Sequence, residues 1–139
     1  MTVGYSGTPL AKKLGFKPGT KVLVVGEVPK DYKALVAPLP ERVTLARSGQ
    51  PPHTAVHVFV TKRSELEKYL RNLRTALAQD GYVWVSWPKK ASKVPTNITE
   101  DVIREVCLPL GFVDVKVCAV SDVWSGLKLV IRVSERRTS

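Results

Sequence analysis

The chain is poor in the residues that bind metals or carry redox chemistry: two cysteines, two histidines and one methionine in 139 residues. Cys107, Cys118, His53 and His57 stand apart, without the close spacing of zinc ligands, so no metal site is expected. No apolar run approaches the ~20 residues that span a bilayer. The opening Met1-Thr2-Val3-Gly4-Tyr5-Ser6-Gly7 has neither the basic start nor the apolar core of a signal peptide. The expectation is a cytoplasmic protein with two reduced thiols and no membrane contact. The length suits one domain, 1–139, fraying from Ser134.

Acidic residues are the other shortage. Twelve Asp and Glu face 22 Lys and Arg, for a net charge of +10 and a pI near 9.9. Such a surface attracts phosphate, in nucleotides, nucleic acid or acidic membranes. The cations are spread along the whole chain, and no aromatic–basic pattern of an RNA-binding module is present. A nucleic-acid partner is therefore consistent with the charge but not singled out by it.

What is there reads as alternating strands and helices. Thr8-Pro9-Leu10-Ala11-Lys12-Lys13-Leu14-Gly15 predicts a short helix with Thr8 as cap, Pro9 at the first position and Gly15 as a left-handed stop. Strands are expected at Lys21 to Gly26, Arg42 to Ala46, Ala55 to Val60, Tyr82 to Trp87, Phe112 to Val120 and Leu127 to Val133. A short helix falls within Pro29 to Leu39. Ser64 and Glu67 have the spacing of a capping box, and Leu66, Leu70, Leu73 and Leu77 form one apolar stripe up to a stop at Asp80-Gly81. Thr99-Glu100-Asp101 opens a last helix that Pro109 ends. His57, in the apolar run Ala55 to Val60, reads as a structural strand residue.

This order predicts an α/β, Rossmann-like, mostly parallel sheet with helices on both faces and a C-terminal antiparallel β-hairpin. The run Leu14-Gly15-Phe16-Lys17-Pro18-Gly19-Thr20-Lys21-Val22-Leu23-Val24-Val25-Gly26 resembles the opening of class I S-adenosylmethionine-dependent methyltransferases. Leu77 to Val85 is similar to the segment leading into their fifth strand, and the closing strand pair to their reversed hairpin. The resemblance implies a shortened version of that fold, lacking one strand and helix. It departs at the cofactor: the family's Gly-rich loop is here Gly26-Glu27-Val28-Pro29-Lys30, and Arg47 or Ser48 stands where an acidic residue would meet the ribose. No bound S-adenosylmethionine is expected on that ground, with a divergent methyltransferase as an alternative. The motifs YSGTPLAKKLG, WVSWPKKAS and VDVKVCAV followed by WSGLK also resemble a small bacterial family known only as a domain of unknown function. That resemblance implies no activity.

In open α/β sheets ligands sit outside the carboxyl ends of the strands. Trp87, Lys89, Lys90 and Ser92 follow one such end, Trp124 and Ser125 another, and Ser6, Gly7 and Thr8 begin the first helix. The donors among them suit an anion, and Trp87 or Trp124 suits a flat ring. These residues predict a non-catalytic site for a phosphate-bearing small molecule, a nucleotide or an acidic metabolite. No catalytic constellation is visible. An edge strand of the final hairpin, Phe112 to Val120 or Leu127 to Val133, is available for pairing with a second copy.

Overall fold

Near-continuous apolar runs along the central strands, whose side chains point alternately to either side, give the sheet two buried faces. In the computed structural model, which describes residues 8–136, the strands are β1 (Lys21–Gly26), β2 (Thr44–Ala46), β3 (His53–Phe59), β4 (Leu77–Pro88), β5 (Phe112–Ala119) and β6 (Trp124–Ile131). The helices are α1 (Leu10–Lys13), α2 (Tyr32–Val36), α3 (Arg63–Ala76) and α4 (Glu100–Cys107). One six-stranded sheet runs in the order β2-β1-β3-β4-β6-β5. The pairs β1–β2, β1–β3 and β3–β4 are parallel, whereas β6 is antiparallel to both β4 and β5. The expected fold class is present, down to the reversed hairpin.

Leu23, Val56, Val58, Val83, Val85, Leu127 and Leu129 face one way, onto Leu66, Leu70, Leu73, Ile103 and Val106 of α3 and α4. Val22, Val24, Ala55, Phe59 and Trp84 face the other, onto Leu10 and Ala11 of α1 and Tyr32 and Val36 of α2. No helix among the described residues is long and apolar enough to cross a membrane. Both cysteines are free and buried.

Several local expectations are corrected. Pro9, not Thr8, is the residue before α1, and no side chain caps that helix; the Lys12 and Lys13 amides donate to the Pro9 carbonyl instead. Gly15 does take the left-handed conformation, at φ 77°. The capping box at α3 does not form. Glu67 accepts from Arg63 Nε at 3.3 Å, and the Arg63 amide donates to Asn97 Oδ1 at 2.7 Å, a cap supplied from 34 residues away. Asp80-Gly81 is not the helix stop: α3 ends at Ala76 and β4 begins at Leu77. The register irregularity between His53 and Ala55 absorbs residues 78–81. Gly81 is needed there for close approach, since a Cβ would lie 3.0 Å from the His53 carbonyl oxygen.

The strand starts also move. β6 begins at Trp124 rather than Leu127, because the Val120 and Ser121 amides both donate to the Trp124 carbonyl and tighten the turn. β6 lies between β4 and β5, so only β5 of the hairpin is an edge. Of the tail expected to fray from Ser134, residues up to Glu135 belong to a 3-10 turn at Val133–Glu135, where Arg74 meets the Glu135 carboxylate at 3.6 Å. Residues 137–139 lie outside the described residues.

Candidate functional site

The four parallel strands end at Gly26, Ala46, Phe59 and Pro88. Their carboxyl edge divides into three regions with different chemistry. Over β1 and β2, beside α2, lies an open cleft of about 510 Å³. Its apolar wall is Val24, Val28, Leu45 and Tyr32. Its polar wall is Lys30, Lys33 and Arg47, all exposed, and no acidic side chain lines it. Lys30 and Lys33 come from the start of α2 and the turn before it; Arg47 follows β2 and reaches across to the Gly26 carbonyl at 3.5 Å.

Tyr32 connects that cleft to the interior. Its hydroxyl is 2.9 Å from His57 Nδ1, and His57 Nε2 is 2.7 Å from Ser86 Oγ. His57 and Ser86 are wholly buried and Tyr32 is 4% exposed. Both ring nitrogens of a neutral imidazole are thereby satisfied, one as donor and one as acceptor. Burial pushes the imidazole pKa down to about 3 and the Tyr32 phenol upward, because either charged form would lie in a desolvated interior. His57 also stacks on Phe59 at 4.3 Å between ring centroids. A serine beside a histidine suggests nucleophilic catalysis, but no substrate reaches a serine this deep. The chain of three holds α2 against β3 and β4. Sequence reading found His57 as a strand residue and missed its partners; the available signal was the shared parity of His57, Ala55 and Phe59, which turns the ring toward α2.

Between β1 and β3, where the strand order reverses, the edge is shut. The Glu27 amide donates to the Phe59 carbonyl at 2.8 Å, and the Thr61 amide and hydroxyl donate to Glu27 Oε2 at 3.2 and 2.7 Å. Gly26 sits at φ 91°, and any Cβ there would collide with the Phe59 carbonyl. The glycine of the first loop thus serves strand packing.

The third region, over β4 and β6, holds most of the residues singled out from sequence. Lys89, Lys90, Ser92, Trp124 and Ser125 do come together: Pro88 pairs with Trp124 and Trp87 with Ser125, and the Lys89 amide donates to the Val123 carbonyl at 2.7 Å. The two indoles do not converge. Trp87 packs among the core residues under α3 and α4, whereas Trp124 lies on the opposite face, edge-on to Phe59 at 5.0 Å. Ser92 Oγ donates to the Lys89 carbonyl at 2.6 Å and so closes its own turn. Thr8 is half-buried ahead of α1, and Ser6 and Gly7 lie outside the described residues. Lys30, Lys33 and Tyr32 were not among the sequence candidates.

No protein-family model and no curated protein sequence matches the chain, so the likeness to a small bacterial family rests on the quoted motifs alone. Solved structures do match. A SAM-dependent methyltransferase from Aquifex aeolicus has a TM-score of 0.58 and 18% identity over 88% of this chain and 87% of its own. The fibrillarin pre-rRNA processing protein of Methanococcus jannaschii has a TM-score of 0.56 and 12% identity, with 84% and 68% covered. A ribosomal protein methylase from Lactobacillus delbrueckii subsp. bulgaricus has a TM-score of 0.53 and 12% identity, with 88% and 74% covered. The expectation that S-adenosylmethionine is absent gains no support from such neighbours. At these identities the likeness establishes the fold: a shortened Rossmann-like sheet of the kind found in S-adenosylmethionine-dependent methyltransferases.

Proposed function

We propose that the chain is a divergent small-molecule-binding domain on the methyltransferase frame, with its ligand in the cleft between β1, β2 and α2. The observation that carries this reading is the cleft itself, open over the carboxyl ends of β1 and β2. It lies on the sheet edge that receives ligands in open α/β folds, though one strand away from the closed switch point between β1 and β3. The structural neighbours support S-adenosylmethionine as the first candidate and methyl transfer as the first activity to examine. Val24, Leu45 and Tyr32 fit the flat, weakly polar adenosyl half of that molecule.

The other half does not fit. A sulfonium and an α-ammonium would face Lys30, Lys33 and Arg47 with no carboxylate in the lining. Two like charges 4 Å apart near a surface repel by about 4 kcal/mol. Those cations suit only the α-carboxylate of a methyl donor, and the lining offers nothing to hold its sulfonium or its ammonium. Calorimetry with S-adenosylmethionine, S-adenosylhomocysteine and adenosine tests the reading. Saturable binding of any of the three, lost when Ala46→Phe fills the cleft, supports a ligand site there. Binding that Ala46→Phe leaves intact would sink it.

A further inference from the structure

We infer that the β1/β2/α2 cleft selects a ligand bearing a phosphate group, with a nucleoside phosphate as the class that fits both walls. The inference rests on the cleft being the ligand site and adds what that site recognises. Three cations reach it from two sides, Lys30 and Lys33 from the α2 wall and Arg47 from the end of β2. None of the three belongs to an ion pair among the described residues. The nearest carboxylates in sequence do not compensate them: Glu27 is held by the Thr61 amide and hydroxyl, and Asp31, though exposed, is not among the lining residues. Three uncompensated positive charges around a concave space repel one another, and a dianion between them reverses the sign of that energy.

Geometry points the same way. A guanidinium offers a planar fork of donors to phosphate oxygens, and two ammonium groups supply further donors from the facing wall. In dinucleotide-binding sheets an arginine near the end of the second strand accommodates a ribose phosphate in place of the carboxylate that would meet a free hydroxyl. Arg47 occupies that place directly after β2. The apolar wall, with the Tyr32 ring, then takes the base. The cleft is concave and about 510 Å³, the size of a small-molecule site and not of an extended backbone track.

The test is calorimetry at low salt with AMP, ATP, adenosine and a twelve-base single-stranded oligonucleotide. The proteins are the wild type, Arg47→Ala, the pair Lys30→Ala with Lys33→Ala, and Ala46→Phe. Because the three cations lie at the surface, unliganded thermal unfolding of their variants should match the wild type, which separates lost binding from lost folding. The expected result is AMP and ATP binding at least about tenfold tighter than adenosine, with a loss of about tenfold or more in Arg47→Ala and in the lysine pair. Adenosine binding as tightly as AMP, blocked by Ala46→Phe but not by the charge variants, overturns the phosphate inference and leaves the cleft as a site. Nucleotide binding untouched by all the variants, or no binding at all at millimolar ligand, overturns both. An oligonucleotide preferred over AMP, with affinity falling steeply as salt rises, overturns the inference in favour of nucleic acid.

Discussion

The two faces of the sheet are covered in different ways. On one, α3 with 14 residues and α4 with eight lay long apolar stripes over the strands. Their outer surfaces carry ion pairs, Arg63 with Glu67 and Glu105, and Arg104 with Glu100, Asp101 and Asp114. On the other, α1 has four residues and α2 five, far below the length at which a helix holds by itself. That layer is fastened by polar bonds to the sheet: Trp84 Nε1 to the Leu14 carbonyl at 2.9 Å, Tyr82 hydroxyl to the Gly15 carbonyl at 3.0 Å, and Tyr32 to His57. Long amphipathic helices seal a face. Short pieces leave gaps, and both the cleft and the buried polar chain are found under the short pieces.

The sealed face and the buried polar chain should give the two largest effects. Leu70, wholly buried under α3, should cost about 2–5 kcal/mol when changed to Ala, read by urea unfolding. A loss no larger than that of a surface substitution would mean that α3 does not carry this face. On the fastened side, His57→Leu strands the Tyr32 hydroxyl and the Ser86 hydroxyl in the interior, at roughly 1–3 kcal/mol for each orphaned group. The triple change Tyr32→Phe, His57→Leu and Ser86→Ala removes all the partners together, so it should be less destabilising than His57→Leu alone. Additive losses would contradict a connected chain.

Acid probes the same difference between the faces. His57 is neutral in the fold with its pKa near 3, whereas the unfolded imidazole titrates near 6.5. The unfolded state therefore binds the proton first, and stability present above pH 6.5 falls as pH drops toward 3, by up to about 1.4 kcal/mol per pH unit. Carboxylates add their own slope, so the quantity to read is the difference between wild type and the His57→Leu protein over this window. Parallel curves would show that the imidazole does not titrate as a buried group. The smallest effect belongs to the outer ion pairs. Arg104 is joined to Glu100, Asp101 and Asp114 in a solvated setting, so Arg104→Ala should weaken the fold slightly at low salt. In about 1 M salt the difference from wild type should vanish in thermal unfolding.

The way each face is held also explains what the sequence disclosed. Continuous apolar runs such as Lys21 to Gly26 and the leucine stripe of α3 are dictated by burial, and they were legible because local pattern and tertiary role agree. Boundaries were lost where a distant residue decides them. Asn97 supplies the amide acceptor that Ser64 was expected to provide, and β3 extends β4 back through 78–81, across a glycine that looks like a helix stop. Among the described residues, none of the site residues read from the sequence lines the cleft over β1 and β2. Strand order places Lys89, Lys90 and Trp124 on one rim, and they lie on it. Lys30, Lys33 and Tyr32 were overlooked because a five-residue helix has too little periodicity to say which wall it forms.

The two bonds from Trp84 and Tyr82 to the carbonyls after α1 also bear on how the protein can be shortened. Residues 8–20 look expendable, lying ahead of the first strand with only one turn of helix. Yet they supply the acceptor for an indole N–H in the middle of the sheet and bury Leu14 and Phe16 against it. A truncation starting at Lys21 would leave β4 with an orphaned donor and an uncovered tryptophan, so the leading segment belongs to the folding unit as fully as the strands it precedes.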